Sequence, residues 1–299
     1  MTNKNLKFAA VDIGGTNVRF ATFDNKEKIK EKVKFDVDAK DYTKTLDKII
    51  ELINKHEIDA IGMDFPGPAD YKKGVVLSAP NLISWNGHNL KDYLLKNCKR
   101  LQKVECDNDA NVMALANHYH FRRNENDVTQ FFTLSTGLGA GLIINNKIFS
   151  GAYGMGQEIA RAPWGSVYDE KTYHLLPYSV ELYASGTGLS LRSKTKGKNW
   201  SAKDVFMNYE KDSVAKQVID EGIDSLARTI SSCMALLNPN LFVFGGSVAR
   251  FNHWFVEKAI EKARVITDPN HFTGVEFKFE ELGDNSALYG LYLLIKHSF

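Results

Sequence analysis

The stretch Phe8-Ala9-Ala10-Val11-Asp12-Ile13-Gly14-Gly15-Thr16-Asn17-Val18-Arg19-Phe20 decides how this chain folds. An apolar run from Phe8 to Ile13 breaks at two glycines, and Val18 to Phe23 alternates imperfectly as a returning strand, which predicts a hairpin with glycines at its tip. Asp12 then stands at a strand end, Gly14 and Gly15 let backbone approach a ligand closely, and the Thr16 hydroxyl and Asn17 follow. Backbone amides in such a turn form an anion-binding concavity, and a carboxylate beside it can hold the Mg2+ that travels with a nucleotide. The same glycines also serve a plain tight turn, so this motif alone leaves both readings open.

Outward from that hairpin the pattern continues as α/β. Lys28 to Val37 is a charge-rich strand suited to a sheet edge, and the helix from Tyr42 to Lys55 puts Leu46, Ile49, Ile50 and Ile53 on one face. Ala60 to Phe65 is a buried strand running into Pro66-Gly67-Pro68, a helix follows near Asn89 to Cys98, and the short strand Lys103 to Cys106 leads to a helix from Ala110. The second half opens in the same way, with a strand from Gln130 to Leu134, a glycine tip from Thr136 to Gly141 and a return through Leu142-Ile143-Ile144. A long helix bearing Val218, Leu226 and Leu237, the strand Leu241 to Phe244, a helix near His253 to Ala263, the strand Val275 to Phe279 and a last helix from Asp284 complete it. The expected architecture is a duplicated α/β fold with a cleft between the halves, one formed by residues 1–117 plus 284–299 and the other by 118–283.

Composition narrows the function. At 299 residues, 43% hydrophobic and 25% charged, the chain has the balance of a globular protein. Its 38 Lys plus Arg against 36 Asp plus Glu leave a net charge of +2, with no electrostatic drive toward nucleic acid or an anionic membrane. The cysteines Cys98, Cys106 and Cys233 form no CxxC pair, which implies a reducing, cytoplasmic setting. The uncharged window Thr229 to Ala249 is broken by Asn238-Pro239-Asn240 and Gly245-Gly246, so it reads as helix, turn and strand rather than a membrane span. The basic run Arg192 to Lys198 and the pair Arg122-Arg123 read as solvated surface, and Trp85 as core.

Two further segments carry chemistry. Thr136-Gly137-Leu138-Gly139-Ala140-Gly141 is a second glycine loop, but a strand follows it and no glycine occupies the sixth position, so it is not a dinucleotide fingerprint; nor does the chain hold a Walker A sequence. Asp107-Asn108-Asp109-Ala110-Asn111 lies between a strand and a helix, where one residue serves as a cap and a further carboxylate is a candidate base for a hydroxyl.

In this order the motifs resemble those of the ROK family (repressor, open reading frame, kinase) of sugar kinases within the actin-like ATPase, ribonuclease H-like superfold, over nearly the whole chain. Asp12 to Thr16 is similar to the family's first phosphate motif, Asn108-Asp109-Ala110-Asn111 to its catalytic N-D-x-N, and Thr136 to Gly141 to its second phosphate loop. Leu241 to Ser247 with Gly245-Gly246 is similar to the adenosine-side strand and loop, and Leu282 to Ala287 to the start of the closing helix. The resemblance implies a sugar site with Pro66, Gly67, Asn81, Asn108, Asp109, Glu158 and Glu181, and a nucleotide site with Asp12, Gly14, Gly15, Thr16, Asn17, Thr136, Gly137, Gly139, Gly245 and Gly246. ATP with Mg2+ is the implied cofactor, Asp12 holding the metal through the nucleotide, and a homodimer is compatible with the family.

Departures from the family pattern concern zinc. Arg161 stands where a zinc-ligating histidine is usual, and the cysteine cluster reduces to Pro177 through Glu181, so the resemblance is to a zinc-free branch. Arg161 is open to two readings: contact with the sugar, or a local pair with Glu158. His118 and His120, two apart on a helix, do not share a face, and His174 is the histidine left to rebuild a site with a cysteine. A DNA-binding headpiece would need tens of residues ahead of Asp12, where only eleven stand. The implied activity is ATP-dependent phosphorylation of a hexose, first the 6-hydroxyl of glucose, with Asp109 as base. The alternatives are an N-acetylhexosamine kinase, such as one for N-acetylmannosamine, and a noncatalytic sugar sensor.

Overall fold

Apolar runs that end at glycine or Asx turns become strands here, and the computed structural model describes them within residues 6–165 and 175–299. The chain order is β1 (Phe8–Ile13), β2 (Asn17–Phe23), β3 (Ile29–Asp36), α1 (Tyr42–His56), β4 (Ala60–Asp64), β5 (Ala69–Asp70), β6 (Val75–Val76), α2 (Leu90–Asn97), β7 (Lys103–Cys106) and α3 (Asp109–His120). There follow β8 (Val128–Leu134), β9 (Leu138–Ile144), β10 (Lys147–Ile148), α4 (Val180–Ala184), α5 (Gly186–Thr195), α6 (Ala202–Met207) and α7 (Ser213–Leu237). The order closes with β11 (Leu241–Gly245), α8 (Gly246–Phe251), α9 (His253–Ile266), β12 (Glu276–Phe279) and α10 (Ser286–Lys296). The residues fall into two compact units, 1–116 with 152–154 and 284–299, and 117–151 with 155–283. No helix among the described residues is long and apolar enough to cross a membrane.

In the first unit the sheet runs β3-β2-β1-β4-β7, with β1 antiparallel to β2 and parallel to β4. The charge-rich β3 takes the edge, where alternate side chains meet water and Lys and Glu discourage pairing with other chains. Helix α1 opens with the Asp41 carboxylate accepting from the Thr43 amide, a cap worth about 0.5–2 kcal/mol, and buries Leu46, Ile49 and Ile53. Helix α10 lies directly on backbone: a Cβ at Gly62 would fall 2.0 Å from the Leu291 carbonyl oxygen, and one at Gly290 1.8 Å from that of Val112. Only glycine permits this approach, and it brings α10 against the central strands. Trp85 is fully buried, its indole N–H donating to the Asp38 carbonyl at 3.1 Å.

In the second unit the sheet order is β10-β9-β8-β11-β12, again an antiparallel hairpin joined to parallel strands. Phe132, Phe242 and Phe244 stack on one face and are fully buried or nearly so, beneath α7, whose Asp212 cap accepts from the Val214 and Ala215 amides. The glycine tip is shorter than the sequence suggests. Gly139 and Gly141 lie inside β9, opposite Thr133 and Phe131, because Leu138, Ala140 and Leu142 already bury their side chains as a strand; the turn itself spans only Ser135 to Gly137. The basic run is also not uniformly solvated. Arg192 is 3% exposed, with its guanidinium over the Tyr183 ring at 4.1 Å, its Nη1 donating to the Val218 carbonyl and its charge paired with Glu221. A planar guanidinium can be buried where stacking, hydrogen bonds and a carboxylate together replace water.

Candidate active site

Strands β1 and β4 run parallel with Asp12 opposite Asp64, so two carboxylates stand side by side where the strands end. The carboxyl ends of parallel strands are where α/β sheets bind ligands. A cavity of about 270 Å³ opens there, lined by Asp12, Gly14, Gly15 and Asp64 from the strand ends and by Gly67, Tyr71, Asn108 and Asp109 from the segments that follow.

Each carboxylate has a different environment. Asp12 is ion-paired with Arg19, its antiparallel register partner on β2. Asp64 is 2% exposed; its Oδ1 accepts from the Ile13 amide at 3.1 Å, while Oδ2 has no hydrogen-bond partner among the described residues. Burial above all, then the neighbouring charges of Asp12 and Asp109, push its carboxyl well above the usual range. Asp109 begins α3. Capping there falls to Asn108, whose Oδ1 accepts from the Ala110 amide at 2.9 Å, while Asp107 accepts from the Asn108 amide and the Asn111 side chain at 2.7 and 2.8 Å. The Asp109 Oδ1 also accepts from the Ala110 amide, at 2.8 Å, and the residue still lines the cavity.

The glycine turn is closed by the Gly14 amide, which donates to the Asn17 carbonyl at 2.9 Å, and by the Asn17 amide group, which donates to the Thr16 hydroxyl at 2.7 Å. Asn81 lies over the turn: a Cβ at Gly15 would fall 3.4 Å from its Nδ2. The hard oxygens of Asp12 suit magnesium, one of them already engaged by Arg19.

In the second unit the Ser135 to Gly137 turn is tied to the start of α5, Gly186 and Thr187 donating to the Ser135 and Thr136 carbonyls at 2.8 and 3.0 Å. Glu181 of α4 sits against this turn; its Oε1 accepts from the Leu138 amide at 3.4 Å and would lie 2.9 Å from a Cβ at Gly137. Gly245 ends β11 and Gly246 starts α8 at φ +83°, where a side chain would also strike the Leu134 carbonyl at 2.4 Å. Beside α8 is a largely apolar groove of about 480 Å³ lined by Ala202, Phe206, Met207, Val248 and Phe251, of a chemistry that suits a flat base. Glu158 and Arg161 form an exposed pair at 3.6 Å on a single helical turn.

For zinc, no group of three or more His, Cys, Asp or Glu among the described residues is placed to hold a metal ion. His118 is engaged by the Thr129 hydroxyl and Asn146, His120 by Glu281, and His174 lies outside the described residues.

Arg19, Asp64, Tyr71 and the groove beside α8 do not emerge from sequence reasoning. One signal was available: Asp64 is the acid in an otherwise apolar run, Ala60 to Phe65.

A glucokinase of Thermotoga maritima is 26% identical over 97% of this chain and 98% of its own length. An N-acetyl-D-glucosamine kinase of Histophilus somni is 26% identical over 84% of this chain and 87% of its own. Among solved structures, a ROK hexokinase from Thermus thermophilus superposes with a TM-score of 0.81 at 23% identity, covering 98% of this chain and 99% of that one. The two sheets are those of the actin-like ATPase fold. Residues 8–298 match the ROK family, and the chain belongs to it.

Proposed function

We propose that this protein transfers the γ-phosphoryl group of ATP to a hexose hydroxyl, and that the 6-hydroxyl of glucose is its first acceptor. The observation that carries the reading is that Asp109 lines the same small cavity as Asp12 and the Gly14-Gly15 turn, so an acid, a phosphate turn and a magnesium-compatible carboxylate face one space. Asp109 would orient the acceptor hydroxyl and take its proton as the bond to phosphorus forms. Asn108, fixed by its cap, would hold a neighbouring hydroxyl, and Gly67 and Asn81 would line the same side. Bound magnesium would neutralise charge on the phosphate oxygens, with Asp12 as the residue to hold it. The turn at Thr136-Gly137 would receive phosphate in the second unit, and the groove beside Gly246 the adenine ring.

Glucose is placed first because the glucokinase relative is matched over nearly the full length of both chains. The N-acetylglucosamine kinase relative keeps an N-acetylhexosamine as the second reading. A noncatalytic sensor is disfavoured by the presence of Asp109 beside the glycine turn. ADP release measured over a panel of hexoses and N-acetylhexosamines tests the reading; sugar binding without ADP release on any of them would overturn it in favour of a sensor.

A further inference from the structure

Beyond the strand ends and the glycine turn, the cavity is walled by Phe65, Pro66, Gly67, Asn108, Asp109 and the side chain of Tyr71. Tyr71 follows β5, its ring packs against Phe65 with centroids 5.1 Å apart, and its hydroxyl donates to the Phe65 carbonyl at 3.2 Å. The Asn108 amide group in turn donates to the Tyr71 oxygen at 3.5 Å. A Cβ at Gly67 would come within 2.8 Å of that oxygen, so the phenol lies directly on the Gly67 backbone. Burial raises the phenol above its ordinary range, which keeps it a neutral donor. The ring is thus fixed to both segments that flank Asp109, and it bounds a space of about 270 Å³. Small-molecule clefts run from about 300 Å³ upward.

Asp12, Asp64 and the glycine turn are held by the sheet and cannot yield room without disturbing it. We infer that Tyr71 sets the size of the acceptor, admitting an unsubstituted hexose and excluding one that carries an N-acetyl group. The inference rests on the sugar-kinase reading above. It makes Tyr71 a specificity-determining residue rather than a catalytic one.

The test measures dissociation constants by calorimetry and kcat/KM by ADP release, for glucose and N-acetylglucosamine, with the wild type and the variants Tyr71→Phe, Tyr71→Leu and Tyr71→Ala. The wild type should favour glucose by about tenfold or more, the scale on which a pocket discriminates by bulk. Tyr71→Phe keeps the ring and should hold that ratio within about threefold, whereas Tyr71→Ala should narrow it about tenfold by gaining N-acetylglucosamine. Tyr71→Leu keeps apolar packing on Phe65 and gives the same reading if the alanine variant does not fold. A wild type that takes both sugars equally, or Leu and Ala variants that weaken both equally, overturns the inference. If sugars bind but no ADP is released, the kinase reading fails and the binding ratios alone decide the role of Tyr71. If neither sugar binds the wild type, both fall.

Discussion

Arg19 and Asp12 face each other across the β1–β2 hairpin as register partners, and their side chains form an ion pair beside the cavity. Arg19 also donates to the carbonyl oxygen of Asp284, within the turn Gly283–Asn285 that leads into α10. A single guanidinium therefore offsets one carboxylate of an acidic cluster and ties the turn before α10 to the β1–β2 hairpin. Without it, Asp12 would stand uncompensated next to Asp64 and Asp109.

Arg19→Gln should accordingly lower stability by about 1–3 kcal/mol, the scale for stranding a partly buried charge. Millimolar Mg2+ should recover part of the lost melting temperature in the variant and change that of the wild type much less, because a divalent cation can take the place of the guanidinium. Thermal melts with and without Mg2+ check this, and equal responses in both proteins would count against a magnesium role for Asp12.

Asp64 gives a pH signature. Its folded carboxyl titrates above its unfolded value of about 3.9, so between those two values the native state holds a proton that the unfolded state has lost. Its contribution to stability is then fully present below the unfolded value and is lost as pH rises toward the folded one. Asp64→Asn removes this dependence, so the variant should melt higher than the wild type at about pH 8, with the gap closing toward about pH 4. A gap that stays constant across the range would show that Asp64 keeps no proton in the folded protein.

Much of this was legible in the sequence, for physical reasons that differ by element. The Phe8 to Phe23 hairpin was readable because a buried run, two glycines and a returning run leave the backbone few alternatives. The second glycine tip reads longer in the sequence than it is because Gly139 and Gly141 resemble loop residues in composition, while the pairing of β8 with β9, which is a nonlocal fact, makes them strand. Arg192 reads as surface for the same reason: its partner Glu221 is far along the chain on α7, and nothing near Arg192 announces it. Tyr71 gives no signal in the sequence, since its ring is brought to the cavity by tertiary contacts with Phe65 and Asn108.

The second glycine turn offers a test of nucleotide binding. Gly137 faces Glu181, and a Cβ would lie 2.9 Å from the carboxylate oxygen, so Gly137→Val must push Glu181 away from the turn. If phosphate is received there and Glu181 serves the turn rather than the sugar, the variant should raise the KM for ATP about tenfold or more while that for the sugar moves far less. Equal increases for both substrates, or a matching fall in melting temperature, would mean that the substitution disturbs the fold rather than the nucleotide.

Asp109 separates chemistry from capping. The helix it begins already has Asn108 as its cap, with Oδ1 on the Ala110 amide at 2.9 Å, so the fold does not depend on the Asp109 carboxylate for that purpose. Asp109→Asn keeps the shape and the capacity to hydrogen-bond a hydroxyl, but an amide cannot accept its proton. The expected loss in kcat is about 10² to 10⁴, the range for a general base, with the KM for sugar changed by no more than about threefold. Melting curves of the variant should match the wild type or lie above it, because Asp64 then loses one neighbouring negative charge. A variant that keeps near-normal kcat on every hexose tested, with an intact fold, would leave Asp109 as a second cap and remove the base from the mechanism.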